Sequence, residues 1–153
     1  MAAVIITIAD AVAAELNEKE WSLPFTATRV YVPVHELRDL STLTVTVVPK
    51  SLKPTLLSRS GANLYDYLID IGIQQLIGQG QMTDAQINSA ADPLMALAEE
   101  IVSEFFLENL VVPGLVPLPK CIDAENTPIY HPQDIDEKRV FTTVITLNYR
   151  QGR

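Results

Sequence analysis

The chain is poor in the residues that do chemistry. Cys121 is its one cysteine, and His35 and His131 are its only histidines. One thiol excludes an intrachain disulfide and suits a reducing cytoplasm. Metal sites draw on clustered His, Cys, Asp or Glu, and no HxxxH, CxxC or HExxH spacing occurs. His35 stands beside Glu36, and His131 lies between Tyr130 and Pro132. Neither belongs to such a spacing. A nucleophilic role for Cys121 requires a base and an electropositive setting, and Lys120 alone is too little. Cys121 is therefore expected to be a packing residue, and no catalytic, metal or cofactor site is expected.

Positive charge is scarce as well. Eleven Lys and Arg face 19 Asp and Glu, for a net charge of −8. Such a surface repels nucleic-acid phosphates. The pair Gly78 and Gly80 lacks the third glycine of a dinucleotide turn and the Lys-Ser/Thr of a P-loop. Aromatic residues are only 7%, so aliphatic side chains must build most of the core. No uncharged stretch approaches the roughly 18 residues of a membrane helix. The opening apolar run has no basic flank and ends at Asp10, which argues against a secretory signal.

What remains is a 153-residue chain, 48% apolar, long enough for one domain over 1–153. Ile5, Ile8, Val12 and Leu16 recur at helical spacing, with Thr7 as the expected cap. Trp21 and Phe25 should pack back on the core. Thr26–Val34 and Leu43–Val48 read as strands, the second stopped by Pro49. Lys50–Asn63 reads as an exposed hairpin arm. In Leu64–Leu76, Tyr65, Tyr67, Ile69, Ile71 and Ile73 face one way, and Asp66, Asp70, Gly72 and Gln74 the other. Ile77–Ala91 reads as a loop with a short helix from Thr83. Asp92-Pro93 then opens a long helix with Leu94, Leu97, Ala98, Ile101 and Phe105 on one stripe. The Pro-rich stretch Val111–Asp136 should hold neither a helix nor a central strand, which makes it functional or mobile. A last strand covers Arg139–Tyr149, its apolar face interrupted by Thr143. The expected fold class is α+β: a mainly antiparallel sheet, two helices on one face, a long hairpin arm over 50–63 and a Pro-rich loop over 111–136.

Asp66 and Asp70 share a strand face and could form an acid–base pair. The alternating pattern favours a solvated polar face instead, and Asp134–Glu137 likewise reads as a solvated turn. Lys50, Lys53 and Arg59 gather on the proposed arm with Leu52, Leu56 and Leu57. They form either a merely soluble arm or a contact for an acidic neighbouring subunit.

The order and character of the segments resemble the tail terminator (neck, head–tail joining) proteins of tailed bacteriophages. The likeness runs through Ile8-Ala-Asp-Ala-Val-Ala-Ala-Glu-Leu16, Phe25-Thr-Ala-Thr-Arg-Val-Tyr31-Val-Pro33 and Glu36-Leu-Arg-Asp-Leu40. It continues through Leu43-Thr-Val-Thr-Val-Val-Pro49, the arm with Ser58-Arg-Ser60, and Tyr67-Leu-Ile-Asp-Ile-Gly-Ile-Gln74. Asp92-Pro-Leu-Met-Ala-Leu-Ala-Glu-Glu-Ile101 and Val140-Phe-Thr-Thr-Val-Ile-Thr-Leu-Asn-Tyr-Arg150 complete it. The Pro-rich Val111–Asp136 falls outside it, and no single motif is diagnostic. The resemblance implies a structural virion protein rather than an enzyme. Such a protein forms a homo-oligomeric ring, commonly a hexamer, at the head-proximal end of the tail tube. The implied partners are the tail tube protein and the head connector or stopper, with a tail sheath as a further candidate. DNA passes through the ring without specific binding, no membrane is involved, and assembly takes place in the host cytoplasm. A stopper or tail completion protein and a small ligand-binding domain are the alternatives.

Overall fold

A computed structural model describes residues 3–31, 40–55, 63–126 and 130–152. Helix α1 (Val4–Glu18) buries Ile8, Ala9, Val12, Ala13 and Leu16, the helical stripe expected. Its start differs from expectation. Ala3 is the N-cap, and the Thr7 hydroxyl, inside the helix, donates back to the Ala3 carbonyl at 3.2 Å. The helical run begins at Val4, so Thr7 lies one turn too late to cap it. Trp21 and Phe25 stack at 6.2 Å and pack against the core, and the Trp21 indole N–H donates to the Leu16 carbonyl.

Five strands form one sheet in the order β1-β2-β3-β5-β4. They are β1 (Ala27–Arg29), β2 (Thr44–Thr55), β3 (Leu64–Leu76), β4 (Lys120–Glu125) and β5 (Val140–Gly152). All pairings are antiparallel except β1 with β2, where Ala27 faces Val45 and Arg29 faces Val47. Pro49 does not end β2. Pro49 faces Ile69 and Ser51 faces Leu68, so Lys50 is the extra residue of a bulge and the strand runs on to Thr55. A residue without an N–H is tolerated at a bulge or an edge, and no described residue pairs with this half of β2 on its other side. The first part of the expected free arm is thus a paired strand. Residues 56–62 lie outside the described segments.

Helix α2 (Asp84–Phe105) replaces the expected loop, short helix and Asp92-Pro93 start with one 22-residue helix. Thr83 and Gln86 form a capping box, which begins the helix two turns earlier than the proline suggests. Pro93 sits inside it. The proline removes one donor and leaves the Ser89 carbonyl unpaired, but both residues are exposed, so water can take that bond. None of the residues before Leu94 is buried; Leu94, Leu97, Ala98, Ile101 and Phe105 are.

The described residues of the Pro-rich stretch are hydrogen-bonded into regular structure. Leu107 N–H donates to the Cys121 carbonyl, Leu110 N–H to the Pro119 carbonyl, and Cys121 N–H to the Glu108 carbonyl. These bonds make a hairpin that leads into edge strand β4. Contrary to expectation a helix follows, α3 (Pro132–Lys138). It is only seven residues long, and Pro132 occupies the first turn, where a missing N–H costs nothing.

Helices α1 and α2 cover the same face of the sheet. Their stripes meet Val45, Val47, Tyr67, Ile69, Ile71, Ile73, Ile145, Leu147 and Tyr149 in one buried cluster. At about 25 cal/mol per Å² of apolar surface, this layer is the main stabilising element. Thr143, which breaks the apolar alternation of β5, is fully buried. It accepts a bond from the Asn126 amide at 2.7 Å, so its hydroxyl is satisfied. Ion pairs Lys19–Glu104 and Arg29–Asp10 and the Ser22–Glu100 hydrogen bond tie α1 and its flank to α2 and β1.

Candidate assembly surfaces

Strand pairing decides where the sequence-derived candidates lie. On the face away from the helices, Asp66 on β3 is flanked by Lys53 on β2 and Arg150 on β5. Arg150 Nε donates to Asp66 Oδ1 at 2.8 Å and Nη2 to Oδ2 at 3.0 Å, and Thr55 Oγ1 adds a bond at 3.3 Å. These bonds hold the Asp66 carboxyl below its ordinary value, Arg150 being the largest cause. Asp70 accepts a 2.7 Å bond from Thr146 and lies 3.8 Å from the Lys50 ammonium. The two carboxylates therefore do not share a proton or converge on a site. They are separate links across three strands, and they are more buried than the solvated face expected, at 14% and 21% side-chain exposure.

Of the six candidate subunit-contact residues, Lys50, Leu52 and Lys53 lie on the outer half of β2. Leu56, Leu57 and Arg59 fall outside the described residues, as does His35. Leu52 pairs with Tyr67 and so belongs to the helix side of the sheet, but burial there falls away past Tyr67 and Leu52 is 51% exposed. The sheet thus extends beyond its helical cover, carrying a half-exposed leucine on one side and two cations on the other. Both cations face carboxylates of the neighbouring strand β3: Lys50 lies beside Asp70, and Lys53 stands opposite Asp66.

Cys121 is fully buried, its Sγ 3.3 Å from the Asp123 carbonyl, and burial pushes the thiol up. Its setting is that of a packing residue. His131 stands at the N-cap position of α3 without a side-chain cap bond, and its backbone N–H donates to the Thr142 carbonyl. Among the described residues no cluster of three metal-ligating side chains exists, and no helix is long and apolar enough to cross a membrane.

Two further surfaces lie outside the six candidate contact residues, the first of them in the Pro-rich stretch expected to be functional or mobile. The hairpin after α2 turns alternate residues in opposite directions: Leu110 and Val112 are buried, whereas Val111, Val116 and Leu118 are exposed, Val116 at 88%. The Gln151 amide, donating 2.9 Å to the Pro117 carbonyl, fastens its tip to the end of β5. The only sequence signal for this surface was the density of prolines. The second surface is a cleft of about 340 Å³ between the first half of α2 and α3, with Ile87, Ala91, Met95, Ile135 and Phe141 as floor and Asp92 and Asp136 among its polar groups. Arg139 also lines it, with its Nε occupied by the Gly80 carbonyl at 2.9 Å. The cleft exists because the helix expected from Thr83 runs unbroken through Pro93 as α2, where the sequence suggested a second start.

No protein-family model matches the chain, and no curated protein does. Among solved structures, a chain of the "Virion of native gene transfer agent (GTA) particle" is similar over 99% of this chain and 96% of that one, at 13% identity and a TM-score of 0.47.

Proposed function

We propose that the chain is a structural, non-enzymatic component of a phage-like virion: a ring-forming tail terminator that caps the tail tube and joins it to the head connector. The observation that carries this reading is the sheet extension. β2, β3 and β5 continue together past the helical layer, held by the Asp66–Arg150 link, and present Leu52 to solvent with Lys50 and Lys53 on the reverse side. On a chain of net charge −8, the exposed Lys50 and Lys53 are placed to meet the acidic surface of a second copy, in addition to the Asp70 and Asp66 they face at home. The leucine supplies affinity and the charges set register.

Negative-stain imaging and solution mass test the reading. Closed rings, and shorter, capped tubes on mixing with tail tube subunits, are expected. A protein that stays monomeric at high concentration and leaves tube growth unchanged would exclude it. Leu52→Asp should keep the fold and abolish ring formation.

One observation favours a second reading, a small-ligand domain: the α2–α3 cleft combines an apolar floor with a few polar groups. A monomeric protein whose melting point rises with a low-molecular-weight compound would support that reading over the first.

A further inference from the structure

The exposed hairpin tip and the α2–α3 cleft lie at opposite ends of the molecule. Phe141, at the start of β5, lines the cleft, and Gln151, near its end, holds the hairpin tip. Ten residues of strand separate them, about 33 Å at about 3.3 Å per residue. The tip cannot reach the cleft of its own chain.

The two surfaces are complementary in chemistry. Val111, Val116 and Leu118 are exposed apolar residues of one hairpin, whose Leu110 and Val112 are buried in the core. Contiguous exposed apolar residues mark an interaction site more often than an accident. The cleft offers an apolar floor of Ile87, Met95 and Phe141, large enough for two or three aliphatic side chains. Charge agrees as well: exposed Lys120 follows the tip, and exposed Asp92 and Asp136 belong to the cleft.

We infer that the hairpin tip of one copy inserts into the α2–α3 cleft of the next. The contact is heterologous: each copy uses a different surface on each side. Repeated, it closes into a ring if the rotation allows and otherwise continues as a filament. It supplies a subunit joint distinct from the sheet extension, and it rests on the ring reading only in taking the occupant to be a second copy. The cleft belongs to the least buried part of α2, which receives cover only on assembly.

The test uses the full chain. Val116→Asp at the tip and Ala91→Trp in the cleft change no fully buried residue, so each should fold, as circular dichroism will verify. Each should weaken self-association about ten- to hundred-fold, the scale of losing a central anchor. Val116→Cys and Ala91→Cys proteins, oxidised together, should give covalent dimers, and neither should do so alone. Cys121 stays buried and unreactive in both. Cross-linking of Val116→Cys with itself would mean tip-to-tip pairing and overturn the proposal. Rings that form undiminished with Ala91→Trp would overturn this contact and leave the ring reading intact. A wild-type protein that never associates would overturn both.

Discussion

Arg150 on β5 grips Asp66 on β3 through two parallel bonds of 2.8 and 3.0 Å, and Thr55 on β2 donates to the same carboxylate. One side chain thereby fastens three adjacent strands where the helices no longer cover the sheet. Asp66→Asn should cost about 1 kcal/mol, less than a buried charged bond because Arg150 is partly exposed. The folded carboxyl titrates below its unfolded value of about 3.9. Its contribution is complete well above that value and disappears as pH falls through the lower folded one. In urea melts the wild type should lead Asp66→Asn by a constant margin above about pH 5 and lose that lead toward about pH 2. A margin that persists at the acid end would contradict the assignment.

Ile71 is flanked by Val47 and Ile145 and is fully buried beneath the helices. Ile71→Ala should lose about 2–5 kcal/mol and Ile71→Val about 0.5–1.5 kcal/mol. Chemical denaturation with an unchanged m-value checks both, and an Ile71→Ala protein as stable as wild type would place the residue on the wrong face.

At Gly72 on β3 a β-carbon would come within 2.9 Å of the Thr46 hydroxyl oxygen. Thr46 is itself buried and stiff at χ1. Gly72→Ala should therefore destabilise by about 1 kcal/mol. In a Thr46→Ala background the same change should become neutral or stabilising, since alanine suits a strand better than glycine. A double-mutant cycle measures this coupling. Additivity would show that the two residues do not crowd each other.

The first half of α2 depends on its cap because little else holds it. Thr83→Ala should remove about 1 kcal/mol locally. Hydrogen exchange should show the amides of 87–92 opening faster than those of 98–105, and faster still in Thr83→Ala. Equal protection along the helix would mean that the exposed half is supported in a way its burial does not reveal.

Where strict alternation met a buried layer, local pattern was enough. β3 was legible to the residue because its tyrosines and isoleucines hold every second position from Tyr65 to Ile73, with Asp66, Asp70 and Gln74 opposite, and a slip of one residue would turn every one of them outward. The stripes of α1 and of the second half of α2 were legible for the same reason, as was the α+β class. Proline misled the reading three times. Pro49, Pro93 and Pro132 each lack a donor, but the cost of that lack depends on what lies opposite, and only the assembled chain supplies a bulge, an exposed helix flank or a first helical turn.

Residue content and spacing alone left no clustered metal-ligand motif and an acidic surface; an assembling subunit is only what the resemblance to tail terminator proteins implies. The candidate surfaces were another matter. The pairing of Asp66 with Arg150 spans 84 positions, the bond from Gln151 that fastens the hairpin tip spans 34, and the bond from Arg139 beside the α2–α3 cleft to Gly80 spans 59. Such contacts carry no local periodicity, so tertiary structure decided them.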